Sequence, residues 1–193
     1  MSLPIILASS SPYRRELLAK LGLRFTTQSP DIDESPHPGE SPEALVARLA
    51  QEKAQAIAHV HGNALIIASD QIAVLNDKIL GKPSDHANAV KQLNTASGQS
   101  VRFLTSLALL NSSNNRIQLE VVPFTVHFRT LSTSEIENYL QKEQPYNCTG
   151  SFKSETLGIT LFERLEGDDP HTLIGLPLIR LVRMLKNEAV NII

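Results

Sequence analysis

The chain has 193 residues, of which 41% are hydrophobic and 20% are charged, and its formal net charge is −2. This length suits one domain over residues 1–193, and the charge balance argues against a stable nucleic-acid complex held by a basic surface. A single cysteine excludes an internal disulfide, and without a signal-peptide pattern or an apolar run of about 20 residues we expect a cytoplasmic protein with no membrane partner.

Apolar runs flanked by turn residues predict strands, and apolar residues that recur every three or four positions predict helices. In chain order, the predicted elements are a strand over 3–8, a helix from 12 that ends at 22, a strand over 23–27, a polar loop over 29–40, a helix over 42–61, strands over 64–68 and 72–75, a helix over 86–95, strands over 101–110 and 117–129 joined by a turn at 111–115, a helix over 133–142, a loop over 147–155, a strand over 158–164 and a helix over 174–187. Strands that alternate with helices, with one long hairpin, predict an α/β fold with a mixed, twisted sheet and flanking helices.

The stretch LASSSPYRRELL, residues 7–18, crowds hydroxyls and arginines where the first strand passes into a helix. Free backbone N–H groups and the helix dipole favour an anion at such a point. Ser9, Ser10, Arg14 and Arg15 are therefore predicted phosphate ligands, without a glycine-rich loop. A nucleophilic serine is disfavoured, because no G-x-S-x-G elbow and no evident base accompany it.

Two groups of acidic residues are candidates for the chemistry. Asp70 follows a continuous apolar strand, where α/β folds place ligands, so it is a general base, a metal ligand or a simple turn cap. Asp31, Asp33 and Glu34 lie on an irregular loop, which suits Mg²⁺ or Mn²⁺ ligands but is equally typical of a solvated surface.

Two lysines complete the candidate set. Lys53 is predicted at the edge of the buried face of the long helix, and Lys82 lies in the turn GKP; taken singly, each is typical of an exposed lysine. Together with Arg14 and Arg15 they suit a polyphosphate, and Asp70 with Glu34 suits the divalent metal that such a ligand carries. Cys148 is interpreted as a small packing residue.

Taken together, these motifs resemble the Maf family of nucleoside-triphosphate pyrophosphatases. The matching segments, in the family's order, are residues 7–18, DIDES at 31–35, ALVARLAQEKA at 44–54, IIASDQIAV at 66–74, GKP at 81–83, TGSFKSETLGITLFERLEGD at 149–168 and TLIGLPL at 172–178. The resemblance implies a fold related to the inosine-triphosphate pyrophosphatases, with two lobes around a cleft, a divalent metal and a homodimer. It implies Asp70 as the catalytic base, and phosphate and metal handling by Ser9, Arg14, Arg15, Glu34, Lys53 and Lys82.

Within the family, the sequence looks like the YceF-type branch, which hydrolyses 7-methyl-GTP. Gln71 directly follows the aspartate, and FKSE ends in Glu155, where the dTTP-hydrolysing branch typically has threonine and an AIQ stretch. Glu155 can accept hydrogen bonds from the guanine N1–H and 2-amino group. Tyr13 stands where this branch often has tryptophan, and its ring can attract the cationic methylated base.

The predicted function is therefore hydrolysis of the α–β phosphoanhydride of 7-methyl-GTP, which removes a modified nucleotide. One alternative is a dTTP/UTP pyrophosphatase of the same family. The other is a nucleotide-binding regulator of cell division or septum formation, in which binding rather than turnover is the output. The presence of Asp70 together with the lysines favours an enzyme.

Overall fold

A computed structural model describes residues 3–193. Its strands are β1 (Ile5–Leu7), β2 (Phe25–Thr27), β3 (Leu65–Leu75), β4 (Lys78–Leu80), β5 (Ser100–Asn111), β6 (Arg116–Phe128) and β7 (Phe162–Glu166). Its helices are α1 (Pro12–Ala19), α2 (Pro42–Ala58), α3 (His86–Ala96), α4 (Thr133–Glu143), α5 (Pro170–Ile174) and α6 (Leu178–Asn187), with 3₁₀ turns at Thr149–Ser151 and Leu157–Leu161.

The seven strands form one mixed sheet in the order β2-β1-β3-β5-β6-β7, with β4 paired to β3 outside this path. β2 and β3 both run parallel to β1, whereas β4 is antiparallel to β3 and β7 is antiparallel to β6. The predicted fold class, a mixed sheet with flanking helices, is confirmed.

By its internal contacts the chain divides into two compact units. The first comprises the chain up to Asp70 with residues 105–122 and 169–193, and the second comprises residues 71–104 and 123–168. β3, β5 and β6 each contribute residues to both units. The prediction of a single domain over 1–193 stays a prediction.

Alternate residues along the central strands build the core of the first unit on the two faces of the sheet. In β1, Ile5 and Leu7 join a cluster with α1 and α6 residues such as Leu18 and Leu181. Ile6, which points to the opposite face, joins a cluster with α2 residues such as Ile57. Burying such a side chain stabilises the fold by about 1.5–3 kcal/mol. Because successive strand residues point to opposite faces, α1 and α2 pack on opposite sides of the sheet.

Aromatic packing holds together the second unit. Phe103, Phe128, Phe152 and Phe162 pack edge to face, with neighbouring ring centroids 4.8–5.7 Å apart. A Cβ on Gly150 would lie 3.0 Å from the Phe103 ring, and its φ of +78° also favours glycine. The cluster therefore needs glycine at this position.

The helix starts follow the sequence signals. Ser41 caps α2 by accepting a hydrogen bond from Ala44 N–H, with Pro42 in the first turn. Ser132 and Glu135 form the predicted capping box at the start of α4. No helix within residues 3–193 is both long and apolar enough to cross a membrane.

The structure differs from the predicted elements in four respects. β3 runs unbroken through Asp70, so this residue lies inside a strand rather than beyond one, and β4 was missed after the left-handed turn at Asn76 and Asp77. The strand predicted over 158–164 starts only at Phe162, because a 3₁₀ turn precedes it. The last predicted helix is two helices, since Gly175 has a φ of +121° and Pro177 cannot continue a helix.

Candidate active site

The centre of the candidate site is the ammonium group of Lys53, in the first unit. Its Nζ lies 2.6 Å from Asp70 Oδ1 and 2.6 Å from Glu34 Oε1. The side chain of Lys53 is 8% exposed and that of Asp70 is 11% exposed, whereas that of Glu34 is 59% exposed. One buried cation thus joins a buried carboxylate to one that faces solvent, and water screens the inner pair little.

Helical spacing explains why a lysine is buried on α2. Lys53 lies one turn after Leu49 and Ala50 and one turn before Ile57, which are all buried. The alkyl stem therefore continues the apolar face, while the charged end reaches the carboxylates at the rim of the core. The predicted position at the edge of the buried face is confirmed, but the lysine is paired rather than solvated.

Asp70 is fixed through its backbone as well as its side chain. Its N–H donates to Ser106 Oγ at 3.0 Å, and the Ser106 hydroxyl lies 3.2 Å from the Asp70 carbonyl oxygen. Ser106 is fully buried in β5, beside β3. These contacts occupy polar groups that burial would otherwise leave unpaired, so an aspartate is tolerated inside a buried strand.

Arg14 reaches the same site from α1. Its Nε donates to the Gly175 carbonyl oxygen at 2.9 Å, and Ser69 Oγ donates to that same oxygen at 2.9 Å. Burial lowers the pKa of the Arg14 guanidinium, and the negative charges of Asp70 and Glu34 oppose this shift. Arginine keeps its charge near neutral pH, so both Arg14 and Lys53 bring positive charge to Asp70.

The start of α1 gathers polar groups next to Arg14. Ser11 caps the helix, with its hydroxyl accepting from Arg14 N–H, and Ser9 Oγ accepts from Ser11 N–H at 3.1 Å. Ser9 is buried whereas Ser10 is exposed. This is the arrangement that the sequence predicted, a helix N-terminus with hydroxyls and an arginine, although phosphate binding there stays a prediction.

The loop that carries Glu34 is tied to α2 through Arg48. The Arg48 guanidinium donates to both oxygens of Glu40, at 2.7 and 2.8 Å, and to the Ser35 carbonyl oxygen at 3.0 Å. The Arg48 hydrogen bonds, aided by the His37 N–H, lower the pKa of Glu40 to about 2. Glu34 therefore stands on an anchored loop.

Asp31 and Asp33, the other two predicted acidic residues of this loop, make no described contact with Lys53. Asp33 Oδ1 accepts from Ser35 N–H at 2.9 Å, which closes a local turn. The Ser35 hydroxyl, followed by this N–H, lowers the pKa of Asp33. Asp31 is exposed. Within the described chain, 3–193, no group of three or more His, Cys, Asp or Glu side chains is placed to hold a metal ion.

Glu34 and Asp70 nevertheless fit a divalent metal in the chemistry of their donors. Both are carboxylates that converge on one cation, the Lys53 ammonium, and hard oxygen ligands suit Mg²⁺ or Mn²⁺. Magnesium sites in phosphate enzymes commonly use one or two protein carboxylates and complete their shell with substrate phosphates and water. The two residues present match that pattern.

The structure places the other predicted site residues on α1 and in the second unit. Arg15 is exposed and lines a groove with Arg24 beside β2, and Tyr13 is half-buried on α1. Gln71, Lys82 and Glu155 belong to the second unit: half-buried Gln71 in β3, exposed Lys82 between β4 and α3, and exposed Glu155 in the segment before the second 3₁₀ turn.

Sequence reasoning missed the residues that hold the site together, which include Ser69, Ser106 and Gly175. Ser69 and Ser106 are small hydroxyl residues inside apolar runs, and such a residue needs a hydrogen-bond partner when it is buried. The sequence did contain a signal for Gly175: glycine and proline in the stretch GLP, residues 175–177, both break helices. The helix predicted over 174–187 did not take them into account.

Gly175→Ala is expected to weaken catalysis through Arg14. The residue has a φ of +121°, and an added Cβ would lie 3.3 Å from Arg14 Nε, so the Arg14 side chain must give by a few tenths of an ångström, which disturbs its hydrogen bond to the Gly175 carbonyl oxygen. We expect a loss of about tenfold in kcat/KM for the triphosphate hydrolysis that the motifs predict, and a loss of about 1–3 kcal/mol of stability. Steady-state kinetics and thermal unfolding measure both. Gly62→Ala, where a Cβ meets open space, is the matched control; equal effects of the two variants would contradict the assignment.

The fold and site define a class: an α/β protein whose mixed sheet carries a buried Lys–Asp pair beside the arginine-bearing N-terminus of a helix. Residues 4–188 match the family model described as Maf-like protein, and the chain belongs to this family. The family predicted from the motifs is confirmed.

Relatives of nearly the same length carry one name, 7-methyl-GTP pyrophosphatase. One from Pseudomonas fluorescens is 60% identical over 98% of this chain and 98% of its own length. One from Alcanivorax borkumensis is 58% identical over 97% of this chain and 95% of its own, and one from Methylobacillus flagellatus is 57% identical over 98% and 99%.

Among solved structures, that of the Staphylococcus aureus Ham1 protein resembles this chain with a TM-score of 0.53. The superposition covers 96% of this chain and 99% of the Ham1 chain, at 14% identity. At this identity the likeness shows a shared fold alone.

Proposed function

We propose that this protein is a nucleoside-triphosphate pyrophosphatase that hydrolyses 7-methyl-GTP to 7-methyl-GMP and pyrophosphate. The observation that carries the proposal is the name shared by relatives that are 57–60% identical over 97–98% of the chain. The charged cluster around Lys53 supports the reaction type, because buried cations beside a carboxylate suit phosphoryl chemistry. The biological role would be to remove a modified nucleotide.

In the proposed reaction, water attacks the α-phosphorus, a new P–O bond forms, and the bond to the bridging oxygen breaks to release pyrophosphate. Asp70 takes the proton of the attacking water. Lys53 Nζ lies 2.6 Å from Asp70 Oδ1, which orients the carboxylate. The Ser106 contacts to the Asp70 backbone reduce the movement of this base.

We assign the phosphate chain to the cations and to the start of α1. Ser9, Ser10 and the N–H groups of the first turn would cradle one phosphate group. Arg14, Arg15, Lys53 and Lys82 would offset the charge that grows on the phosphates during cleavage. Support comes from the anchored guanidinium of Arg14 and the buried ammonium of Lys53.

Glu34 and Asp70 would hold the divalent metal, with the phosphates supplying further oxygens. When bound, Mg²⁺ or Mn²⁺ neutralises phosphate charge and polarises the phosphoryl oxygens. On this assignment Lys53 must share its two carboxylates with the metal, so Glu34, which is mostly exposed, is the ligand that can move.

We assign base recognition to Tyr13, Gln71 and Glu155. The Tyr13 ring would attract the cationic base, and the Glu155 carboxylate would accept from the guanine N1–H and 2-amino group. Uracil and thymine offer no such pair of donors, which gives the site its selectivity.

We also propose that residues 1–193 act as one catalytic domain and that the chain works as a homodimer. The family model supports the first part, because its match runs through both compact units. The family resemblance supports the second, and analytical ultracentrifugation tests it.

A substrate panel tests the function. Pyrophosphate release is measured with Mg²⁺ or Mn²⁺ from 7-methyl-GTP, GTP, dTTP, UTP and CTP. We expect kcat/KM for 7-methyl-GTP to exceed that for dTTP and UTP by about tenfold or more. A preference for dTTP and UTP would keep the chemistry and overturn the substrate, and no release from any triphosphate would favour a binding role.

A further inference from the structure

The segment that carries Glu155 is held by one side chain of α4. Lys153 Nζ lies 3.1 Å from Glu143 Oε1 and donates to the Glu143 carbonyl oxygen at 3.2 Å. The second carboxylate oxygen, Oε2, accepts from Leu157 N–H at 3.2 Å. A single glutamate therefore binds the chain two residues before Glu155 and two residues after it.

The environment makes this clamp, Glu143 with Lys153, stronger than an ordinary surface ion pair. The Glu143 side chain is 13% exposed and that of Lys153 is 23% exposed, so water screens the pair incompletely. Burial by itself would raise the pKa of Glu143, but the hydrogen bonds from Lys153, Thr156 and Leu157 outweigh it, and the pKa is lowered. The carboxylate is thus ionised at neutral pH.

The backbone of the segment is closed around Lys153. Lys153 N–H donates to the hydroxyl of Tyr139, which is buried, and the Lys153 carbonyl oxygen accepts from Gly158 N–H at 3.1 Å. A Cβ on Gly158 would lie 2.2 Å from that oxygen, so only glycine permits the closure. Residues 153–158 form a compact loop with Glu155 exposed near its tip, where the Ser154 hydroxyl lies 3.3 Å from Glu155 Oε2.

We infer that Glu143 and Lys153 are positioning residues that hold Glu155 in the orientation in which it reads the purine base. The inference rests on the proposed function, which assigns that reading to Glu155. An exposed glutamate on a free loop would lose conformational entropy when the ligand binds, which weakens binding. Because the clamp orders the loop during folding, this loss does not occur at the binding step. Loss of the clamp should therefore weaken recognition of guanine and leave the hydrolytic step unchanged.

The test is a double-mutant cycle read by binding. Dissociation constants for 7-methyl-GMP are measured by calorimetry for the wild type, Lys153→Met, Glu155→Gln and the double variant. We expect Lys153→Met to bind about tenfold more weakly, and the double variant to bind no more weakly than Glu155→Gln alone. Lys153→Arg should restore most of the affinity, and Lys142→Met, an exposed neighbour on α4, is the matched control.

Kinetics give a second readout that a merely structural role would not produce. In Lys153→Met, KM for 7-methyl-GTP should rise about tenfold while kcat stays constant, and kcat/KM for UTP should not change. Equal losses on both substrates, or additive losses in the binding cycle, would overturn the inference. Failure of the proposed function is a separate result, because it appears as a wild type that binds 7-methyl-GMP yet releases no pyrophosphate from any triphosphate.

Discussion

Asp70→Asn is expected to reduce pyrophosphate release by about 10³-fold or more, because an amide cannot take the proton of the attacking water. The substitution keeps the size of the side chain and an oxygen within reach of Lys53, and the Ser106 contacts involve only the Asp70 backbone. The fold should therefore survive. Single-turnover pyrophosphate release from 7-methyl-GTP measures the loss, and thermal unfolding checks the structure.

Asp77→Asn is the matched control for this result. Asp77 lies in the exposed turn between β3 and β4 with a φ of +61°, a conformation that asparagine adopts readily. It should keep full activity. An Asp70→Asn variant that turns over at the wild-type rate would exclude this carboxylate as the base.

Lys53→Met is expected to damage both stability and catalysis. The substitution keeps the apolar stem but leaves the Asp70 carboxylate in a buried strand without its counter-charge. Removing one partner of a buried ion pair costs about 3–5 kcal/mol, which corresponds to a fall of about 10 °C in Tm for a chain of this size. We expect kcat to fall about 10²-fold through the loss of charge beside the phosphates.

Calorimetric unfolding of two further variants isolates the cause. Lys53→Met combined with Asp70→Asn should recover much of the lost stability, because a neutral amide costs less to bury than an unpaired carboxylate. Lys91→Met, on the exposed face of α3, should unfold near the wild-type temperature. If the double variant is no more stable than Lys53→Met, the unpaired Asp70 charge does not explain the loss.

Local signals predicted most of the elements correctly because the forces that form them act over a few residues. The helix starts at Ser41 and Ser132 follow from caps that reach three residues ahead, and the apolar run over 3–8 contains the buried strand β1. The errors occur where a local pattern was ambiguous. Asp70 was predicted to lie just past a strand because the apolar run 64–68 stops before Ser69 and Asp70.

The pairing that Asp70 needed comes from distant residues. Lys53 lies 17 positions away and Ser106 lies 36 positions away. The arginine of α1 meets its anchor, the Gly175 carbonyl, across 161 positions, and Ser69 meets the same oxygen across 106. The spacing of apolar residues along the chain does not predict these long-range contacts, since they depend on how the strands are ordered in the sheet.

The sequence by itself determined the family, the fold class and the types of residue in the site, because each is written in contiguous motifs such as LASSSPYRRELL and IIASDQIAV. Only the tertiary structure decided that Lys53 lies between Glu34 and Asp70 and that Arg14 donates to the Gly175 carbonyl oxygen. It also placed Arg15, which is exposed, in a groove beside β2. The reason is geometric. Motifs specify which chemical groups are present, whereas the packing of helices on the sheet sets the distances over which charges and hydrogen bonds act.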